Sequence, residues 1–179
     1  MNDKGRKLPN VDKFAGLSQK AVTLAAHLGD EEAIRLAGYK VPDRELWLWV
    51  QDLEMWGKEA AVRAAIACAE ETLPRFEEKV RGNDHPRNCL EAAKSWLADP
   101  SEANRIRCLE LATSGRQGLR SPAESLPAVS AAHAAGIEGN FIGPVCMAAA
   151  SSALDKSVAR RVIKEALMAW LLKSESFQA

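Results

Sequence analysis

Residues 46–73 read LWLWVQDLEMWGKEAAVRAAIACAEETL, and their apolar side chains recur three and four positions apart. This spacing places one apolar stripe along each helical segment and leaves polar residues on the opposite face. The strict alternation of a half-buried strand is missing. The stretch therefore predicts helices that bury one face in a core. The stripe consists of Leu46, Trp49, Val50, Leu53, Trp56, Ala60, Val62, Ala65, Ile66, Ala69 and Leu73.

Start and stop signals divide the rest of the chain into further helical segments. Asp30, Asp84 and Asp155 each precede a periodic segment, where a carboxylate can accept from the free N–H groups of the first turn. Glycine or proline follows most segments, as is common where helices end. Pro74 lies inside a helical pattern, so we expect a kink or a restart of the helix there. A short alanine-rich helix is expected over residues 144–154.

Length and composition agree with one globular body. The chain has 179 residues, of which 47% are hydrophobic and 27% are charged. A domain of this length buries roughly 70% of the surface of its unfolded chain, so its core needs no disulfide or metal. We therefore predict an all-α fold, a compact multi-helix bundle of seven to nine helices. Residues 1–10 are expected to form a flexible tail, and residues 11–179 a single domain.

The charge balance limits the possible partners. Lys and Arg total 24, as do Asp and Glu, so the net charge is zero. Nucleic-acid-binding proteins normally carry a basic excess, which argues against nucleic acid and anionic membranes as main partners. The charged N-terminal residues do not resemble a secretory signal, and we predict a cytoplasmic protein. The charge is uneven, since residues 43–78 contain nine acidic and four basic residues, a local net of −5.

No recognisable catalytic or cofactor motif is present in the sequence. A glycine-rich phosphate loop, an H-E-x-x-H helix and a G-x-S-x-G turn are all missing. The four cysteines lie singly among apolar residues, without C-x-x-C spacing, so we predict buried, reduced thiols. We therefore predict no catalytic residue, no cofactor and no metal ligand. The cysteines are Cys68, Cys89, Cys108 and Cys146.

A polar group surrounds the turn between two predicted helices. It consists of Glu70, Asp84, Arg87 and Glu91, in which Arg87 and Glu91 are four positions apart and can pair on one helix. If the two helices pack antiparallel, Glu70 can join them. A pocket of carboxylates and an arginine could perform acid–base chemistry. We favour the other interpretation, in which a helix cap and a salt-bridge network hold the hairpin together.

A possible partner-binding face lies on the polar side of the helix that begins near residue 46. There Trp47 is accompanied by Gln51, Glu54 and Lys58, whereas the apolar stripe occupies the other side. A large aromatic side chain ringed by polar groups is typical of an anchor at a protein interface. The alternative is that the N-terminal helices cover Trp47, because a middle helix in a bundle can bury two faces.

Residues 67–96 read ACAEETLPRFEEKVRGNDHPRNCLEAAKSW and resemble a known signature. The Imm-5-like immunity proteins of bacterial polymorphic toxin systems, which are all-helical, have a D-C-A-E-R-V-L-P-x-F-E stretch, a D-x-R-P-R-like turn and an E-A-x-R-x-W helix. The chain departs from this pattern at Ala67 and Glu71, where the family has an acidic and a basic residue. The matching residues are Cys68, Ala69, Glu70, Leu73, Pro74, Phe76, Glu77, Asp84, Pro86, Arg87, Glu91, Ala92, Ala93 and Trp96.

The resemblance implies an inhibitor that binds and silences a cognate toxin, and it carries over no catalytic residue. A protein partner is expected on this basis. The residues themselves leave two other functions open. One is a small helical enzyme that uses the Glu/Asp/Arg group, and the other is a helical scaffold or adaptor. The identity of the toxin and the oligomeric state are open as well.

Overall fold

The computed structural model describes residues 11–39, 46–114, 123–139 and 154–174. Within these ranges all regular structure is helical and no strand occurs, which confirms the all-α prediction. The eight α-helices of these ranges agree with the expected seven to nine. They are α1 (Gln19–His27), α2 (Glu31–Ala37), α3 (Leu46–Asp52), α4 (Lys58–Lys79), α5 (His85–Ala98), α6 (Glu102–Ser114), α7 (Leu126–Gly136) and α8 (Lys156–Ser174). Three short 3-10 helices cover Val11–Phe14, Leu53–Trp56 and Ala123–Ser125.

The chain divides into two compact units, residues 1–43 with 168–179, and residues 44–167. The predicted single domain thus stays a prediction. Two further expectations, the flexible tail at residues 1–10 and the helix at residues 144–154, lie outside the described residues. No helix in the described ranges is both long enough and apolar enough to cross a bilayer.

The first unit contains α1 and α2, whose ends follow local sequence signals. The Asp30 carboxylate accepts from the N–H groups of Glu32 and Ala33, at 3.1 and 3.2 Å, and so caps α2 as predicted. At the other end, Gly38 adopts a φ of +61°, a left-handed conformation that favours glycine and ends the helix. Lys13 forms an ion pair with Asp30, which adds a contact from the preceding 3-10 helix to this cap.

Helix α4 runs without interruption through Pro74, so it does not restart there, and the kink that was the other expectation stays a prediction. Pro74 is exposed, while its neighbours Leu73 and Phe76 are each only 1% exposed. Burial of side chains on both sides of the proline keeps the helix continuous despite the lost hydrogen bond. Two residues before Pro74, the Thr72 hydroxyl donates to the Cys68 carbonyl at 3.0 Å, which satisfies a buried polar group.

Helix α7 is the central element of the second unit and packs against α4, α5 and α6. Its small side chains let the neighbouring backbones approach closely. A Cβ atom added to Gly136 would lie 2.6 Å from the backbone nitrogen of Leu109 on α6. This distance is far too short for a carbon atom, so glycine is required for the observed packing. The buried residues of α7 are Pro127, Ala128, Ser130, Ala131, Ala132, Ala134, Ala135 and Gly136.

Helix α8 shows the periodic burial that an amphipathic helix requires. Asp155 accepts from the Ser157 N–H at 2.8 Å, which confirms the predicted cap. The buried side chains of the helix recur every four residues and so form one stripe. They are Ala159, Ile163, Leu167 and Leu171.

Candidate functional site

The α4–α5 hairpin carries the polar group that the sequence singles out, with a different pairing. Arg87 donates from Nε to Oε1 of Glu77 at 2.8 Å and from Nη2 to Oε2 at 2.7 Å. The hydrogen bond from Arg87 lowers the pKa of Glu77, and the same bond raises the pKa of Arg87. Glu91, the expected partner, acts on that pKa only through its charge. Arg87 therefore joins α5 to α4 rather than pairing within α5.

Lys94 is the second link between the two helices, and the sequence interpretation missed it. Its Nζ lies 3.0 Å from Oε1 of Glu70 on α4 and 3.4 Å from Oε1 of Glu91 on α5. Burial alone would lower the pKa of Lys94, but the hydrogen bond to Glu70 and the nearby carboxylates outweigh it and raise the pKa. The spacing of three residues between Glu91 and Lys94 was the signal that could have identified this pair.

The predicted cap at Asp84 is wrong. This residue has helical backbone angles, φ −82° and ψ −2°, and makes no side-chain cap hydrogen bond. A capping side chain needs a backbone outside the helical region, usually an extended one, to reach the first-turn N–H groups. Instead, the side-chain oxygen of Asn83 accepts from the His85 N–H at 3.2 Å. Asp84 is exposed and takes no part in either of the two links between the helices.

The hairpin group thus consists of three surface salt bridges made by two cations, Arg87 and Lys94, which have separate carboxylate partners. The side chains of Glu70, Arg87 and Glu91 are 55%, 43% and 53% exposed. Acid–base catalysis is more effective where carboxylates converge in a site that excludes water, because burial tunes their pKa values. This geometry fits a role in holding the hairpin better than a reaction. Among the described residues, no group of three or more His, Cys, Asp or Glu side chains could hold a metal ion.

The region of the predicted partner face is described in part. The side chains of Trp47 and Glu54 lie outside the described residues, and Gln51 is half-buried. Met55, on the 3-10 helix that follows α3, is 72% exposed. The sequence interpretation did not name Met55, although helical spacing places it well outside the apolar stripe. The partner face stays a prediction, to which the structure adds an exposed apolar side chain.

Lys58, the fourth residue of that face, makes its contacts inside the protein. Its Nζ donates to the Ile137 carbonyl at 2.7 Å and lies 4.8 Å from the ring centroid of Trp96. Burial and the nearby Arg105 lower the pKa of Lys58. Arg105 in turn donates from Nη1 to the Gly136 carbonyl at 2.7 Å. Sequence patterns gave no indication of either contact, because the partners are far away in the chain.

The described cysteines have the environment of inert thiols. Cys68, Cys89 and Cys108 are buried and free, as predicted, and Cys146 lies outside the described residues. Cys89 Sγ is 3.6 Å from Nε2 of His85, a pair that could resemble a nucleophile and its base. However, burial raises the pKa of Cys89 to about 12, whereas a reactive cysteine needs a lowered pKa.

Comparison with known protein families gives a match over the middle of the chain. A family model described as Imm-5 like putative immunity protein matches residues 51–138. The matched span begins near the end of α3 and includes α4, α5, α6 and α7, so it extends well beyond residues 67–96 on both sides. The resemblance predicted from the sequence is thereby confirmed. Comparisons with curated proteins and with solved structures found no match.

Proposed function

We propose, on the basis of the match of residues 51–138 to the Imm-5 like putative immunity protein family, that the protein is a non-catalytic inhibitor that binds and neutralises a cognate bacterial toxin. The family match is the observation that carries the proposal. The protein would act in the cytoplasm of the cell that produces the toxin. Its inhibitory effect would come from a stable complex rather than from turnover.

Features near the start of the matched span support a protein partner. Met55 exposes most of its side chain, and methionine adapts well to the shape of an opposing surface. Residues 43–78 carry a local net charge of −5, which would attract a partner with a basic surface and speed the encounter. We place the partner-binding surface at Trp47, Gln51, Glu54 and Met55. We call this surface the corner face.

The geometry of the polar groups favours binding over catalysis. Arg87 is engaged by Glu77, while Lys94 engages Glu70 and Glu91, so the carboxylates are held by cations on an open surface. The buried thiols of Cys68 and Cys89 have pKa values raised to about 12 by burial and are poor nucleophiles at neutral pH. An inhibitor needs neither an activated base nor a nucleophile.

The test uses the product of the gene next to the one that encodes this chain, because an immunity gene normally lies beside its toxin. The two purified proteins are mixed at increasing ratios, and the remaining toxicity and the complex are measured together. An inhibitor abolishes toxicity only near equimolar ratio and co-elutes with the toxin. Protection at a small fraction of that ratio would instead indicate an enzyme that modifies the toxin or repairs its target.

Two matched variants locate the binding surface. Met55→Asp introduces a charge at the corner face, and Ile106→Asp introduces the same charge at another exposed apolar position, 43% exposed on α6. Both should fold normally, since changes at exposed positions usually alter stability by less than about 0.5 kcal/mol. We expect Met55→Asp to weaken the complex and Ile106→Asp to leave it unchanged. Equal affinities for the two variants would contradict the proposed corner face.

A further inference from the structure

Lys58 occupies an unusual position for a cation. It is the first residue of α4, where the helix dipole is positive and disfavours a positive side chain. The preceding Gly57 has a φ of +99° and supplies no side-chain cap. Lys58 is also partly withdrawn from water, which lowers its pKa. These costs indicate that a specific set of contacts holds Lys58 in place.

The contacts of Lys58 lie at the C-terminal end of another helix, α7. The amino group donates to the carbonyl of Ile137, the residue after α7, at 2.7 Å. The last carbonyls of a helix have no partner inside it and form the negative end of the dipole, so a cation is favoured there. The ring of Trp96, with its centroid 4.8 Å away, faces the same amino group and adds a cation–π contact.

Arg105 binds the same end of α7 from another helix. Its Nη1 donates to the Gly136 carbonyl at 2.7 Å, and its Nε donates to Oε2 of Glu102 at 2.7 Å. Glu138 lies 3.5 Å from Nη2 and adds a second carboxylate. Two adjacent carbonyls at the end of α7 thus receive one cation each, from α4 and from α6. The close contact between Gly136 and Leu109 brings α6 near enough for this arrangement.

We infer that Lys58 is a positioning residue, and that with Trp96 and Arg105 it forms a clasp that ties the start of α4 to the end of α7. Of the two cations, Lys58 lies on α4 and so connects the start of α4 to the end of α7. Arg105 lies on α6 and contacts only the end of α7. Because Leu53–Trp56 directly precede Gly57 and Lys58, the clasp also holds the 3-10 helix that presents Met55. Lys58 thereby shapes the corner face from inside rather than contacting a partner.

The consequence for binding rests on the proposed function, whereas the clasp itself is testable without a partner. Two amide hydrogen bonds report on its two ends. The Ala61 N–H donates to the Gly57 carbonyl at 3.3 Å in the first turn of α4. The Ile137 N–H donates to the His133 carbonyl at 3.0 Å at the end of α7. Hydrogen exchange of both amides, read by NMR on the full chain, measures how firmly each end is held.

Three variants separate the clasp from a general loss of stability. Lys58→Met keeps the aliphatic stem and removes the charge, Arg105→Met does the same at the second cation, and Lys94→Met removes an ion-paired lysine outside the clasp. We expect Lys58→Met to accelerate exchange at both Ala61 and Ile137 by about tenfold or more, as loss of a charged hydrogen bond predicts. Arg105→Met should accelerate Ile137 alone, and Lys94→Met neither.

Two controls complete the experiment. Lys58→Arg, which retains a donor and a cation, should restore slow exchange at both ends. The amide of Leu90, whose side chain is 1% exposed in the core, should be unaffected by loss of the clasp. If Lys58→Met accelerates only one reporter or neither, the inference is overturned. A uniform increase that includes Leu90 would also overturn it, because that result shows an effect on global stability alone.

If the clasp passes this test and the neighbouring toxin still fails to bind, the proposed function is rejected and the positioning role stands. If the toxin binds but Lys58→Met changes neither exchange nor affinity, the positioning role is rejected and the proposed function stands. Each result therefore rejects either the positioning role of Lys58 or the proposed inhibitor function, and leaves the other standing.

Discussion

Arg87 on α5 holds both carboxylate oxygens of Glu77 on α4, at 2.8 and 2.7 Å, and so joins the two arms of the hairpin. The two residues are ten positions apart, and both lie in the stretch that resembles the immunity family. A two-point contact between planar groups fixes orientation better than a single lysine contact would. Arg87 in the family signature therefore has a structural explanation that needs no substrate.

Replacing Arg87 by Ala should lower the free energy of unfolding by no more than about 1 kcal/mol, because both side chains are more than a third exposed and water screens the pair. The expected loss of stability is thus small, as for other exposed salt bridges. Urea unfolding of Arg87→Ala, Glu77→Ala and the double variant gives the coupling energy directly. A loss of roughly 3 kcal/mol or more, the size typical of a broken buried pair, would contradict the surface geometry.

Gly136→Ala should destabilise the protein by about 1–3 kcal/mol through overpacking against the Leu109 backbone. Alanine would otherwise gain up to about 1 kcal/mol in a helix, so a net loss is diagnostic of the clash. Gly82→Ala is the comparison variant that measures backbone strain without a clash. At Gly82 an added Cβ meets nothing within 4 Å, and only its φ of +79° opposes the change. An unchanged urea midpoint for Gly136→Ala would show that α6 and α7 can separate without cost.

Alkaline pH should destabilise the fold through its buried thiols. Burial raises the pKa of Cys68 and Cys89 to about 12 and that of Cys108 to about 11, from 9.0. Since these folded-state values lie above the unfolded one, the thiol contribution is fully present below pH 9.0. It is lost as the pH rises from there toward about 11–12, by at most about 1.4 kcal/mol per pH unit for each thiol.

Urea unfolding at about pH 8 and about pH 10, on either side of the unfolded thiol pKa, measures this loss. Cys68→Ala should start from a lower stability because of the cavity, but its stability should fall less steeply between the two pH values. The slope is therefore the informative quantity. Lys58 has the opposite effect on the pH dependence of stability. Because its pKa is lowered in the folded state, it stabilises the fold as the pH rises from that lowered pKa toward 10.5, the ordinary value for lysine. If stability falls equally steeply with pH in Cys68→Ala and in the unaltered protein, the raised pKa of Cys68 is contradicted.

The features that the sequence predicts correctly are those encoded by neighbouring residues. Asp30 and Gly38 lie at the two ends of α2, and each acts on backbone groups only a few positions away. The α8 cap at Asp155 is of the same kind. Burial at helical spacing was equally readable, because the period of the α-helix alone sets which positions share a face.

The features that the sequence does not reveal depend on how the helices turn toward one another. Arg87 could reach Glu91 on its own helix, but in the hairpin it donates two hydrogen bonds to Glu77. Lys58 meets the Ile137 carbonyl 79 positions away, a contact that no local pattern predicts. Asp84 failed as a cap for a local reason, namely its helical backbone, which its residue type alone cannot indicate.

Trp47 is the predicted anchor of the corner face, and its side chain lies outside the described residues. If Trp47 is the anchor of the corner face, Trp47→Ala should change the free energy of unfolding by no more than about 0.5 kcal/mol. The same change should weaken binding of the proposed toxin partner by roughly 2 kcal/mol or more, the range for a central interface aromatic. Trp49→Ala is the matched control in the same helix, because Trp49 is only 7% exposed. That variant should lose about 3–5 kcal/mol of stability.

Thermal melts of both variants distinguish an exposed Trp47 from a buried one before any partner is available. Should Trp47→Ala melt as early as Trp49→Ala, Trp47 is a core residue, and the corner face would have to rest on Met55 and its polar neighbours.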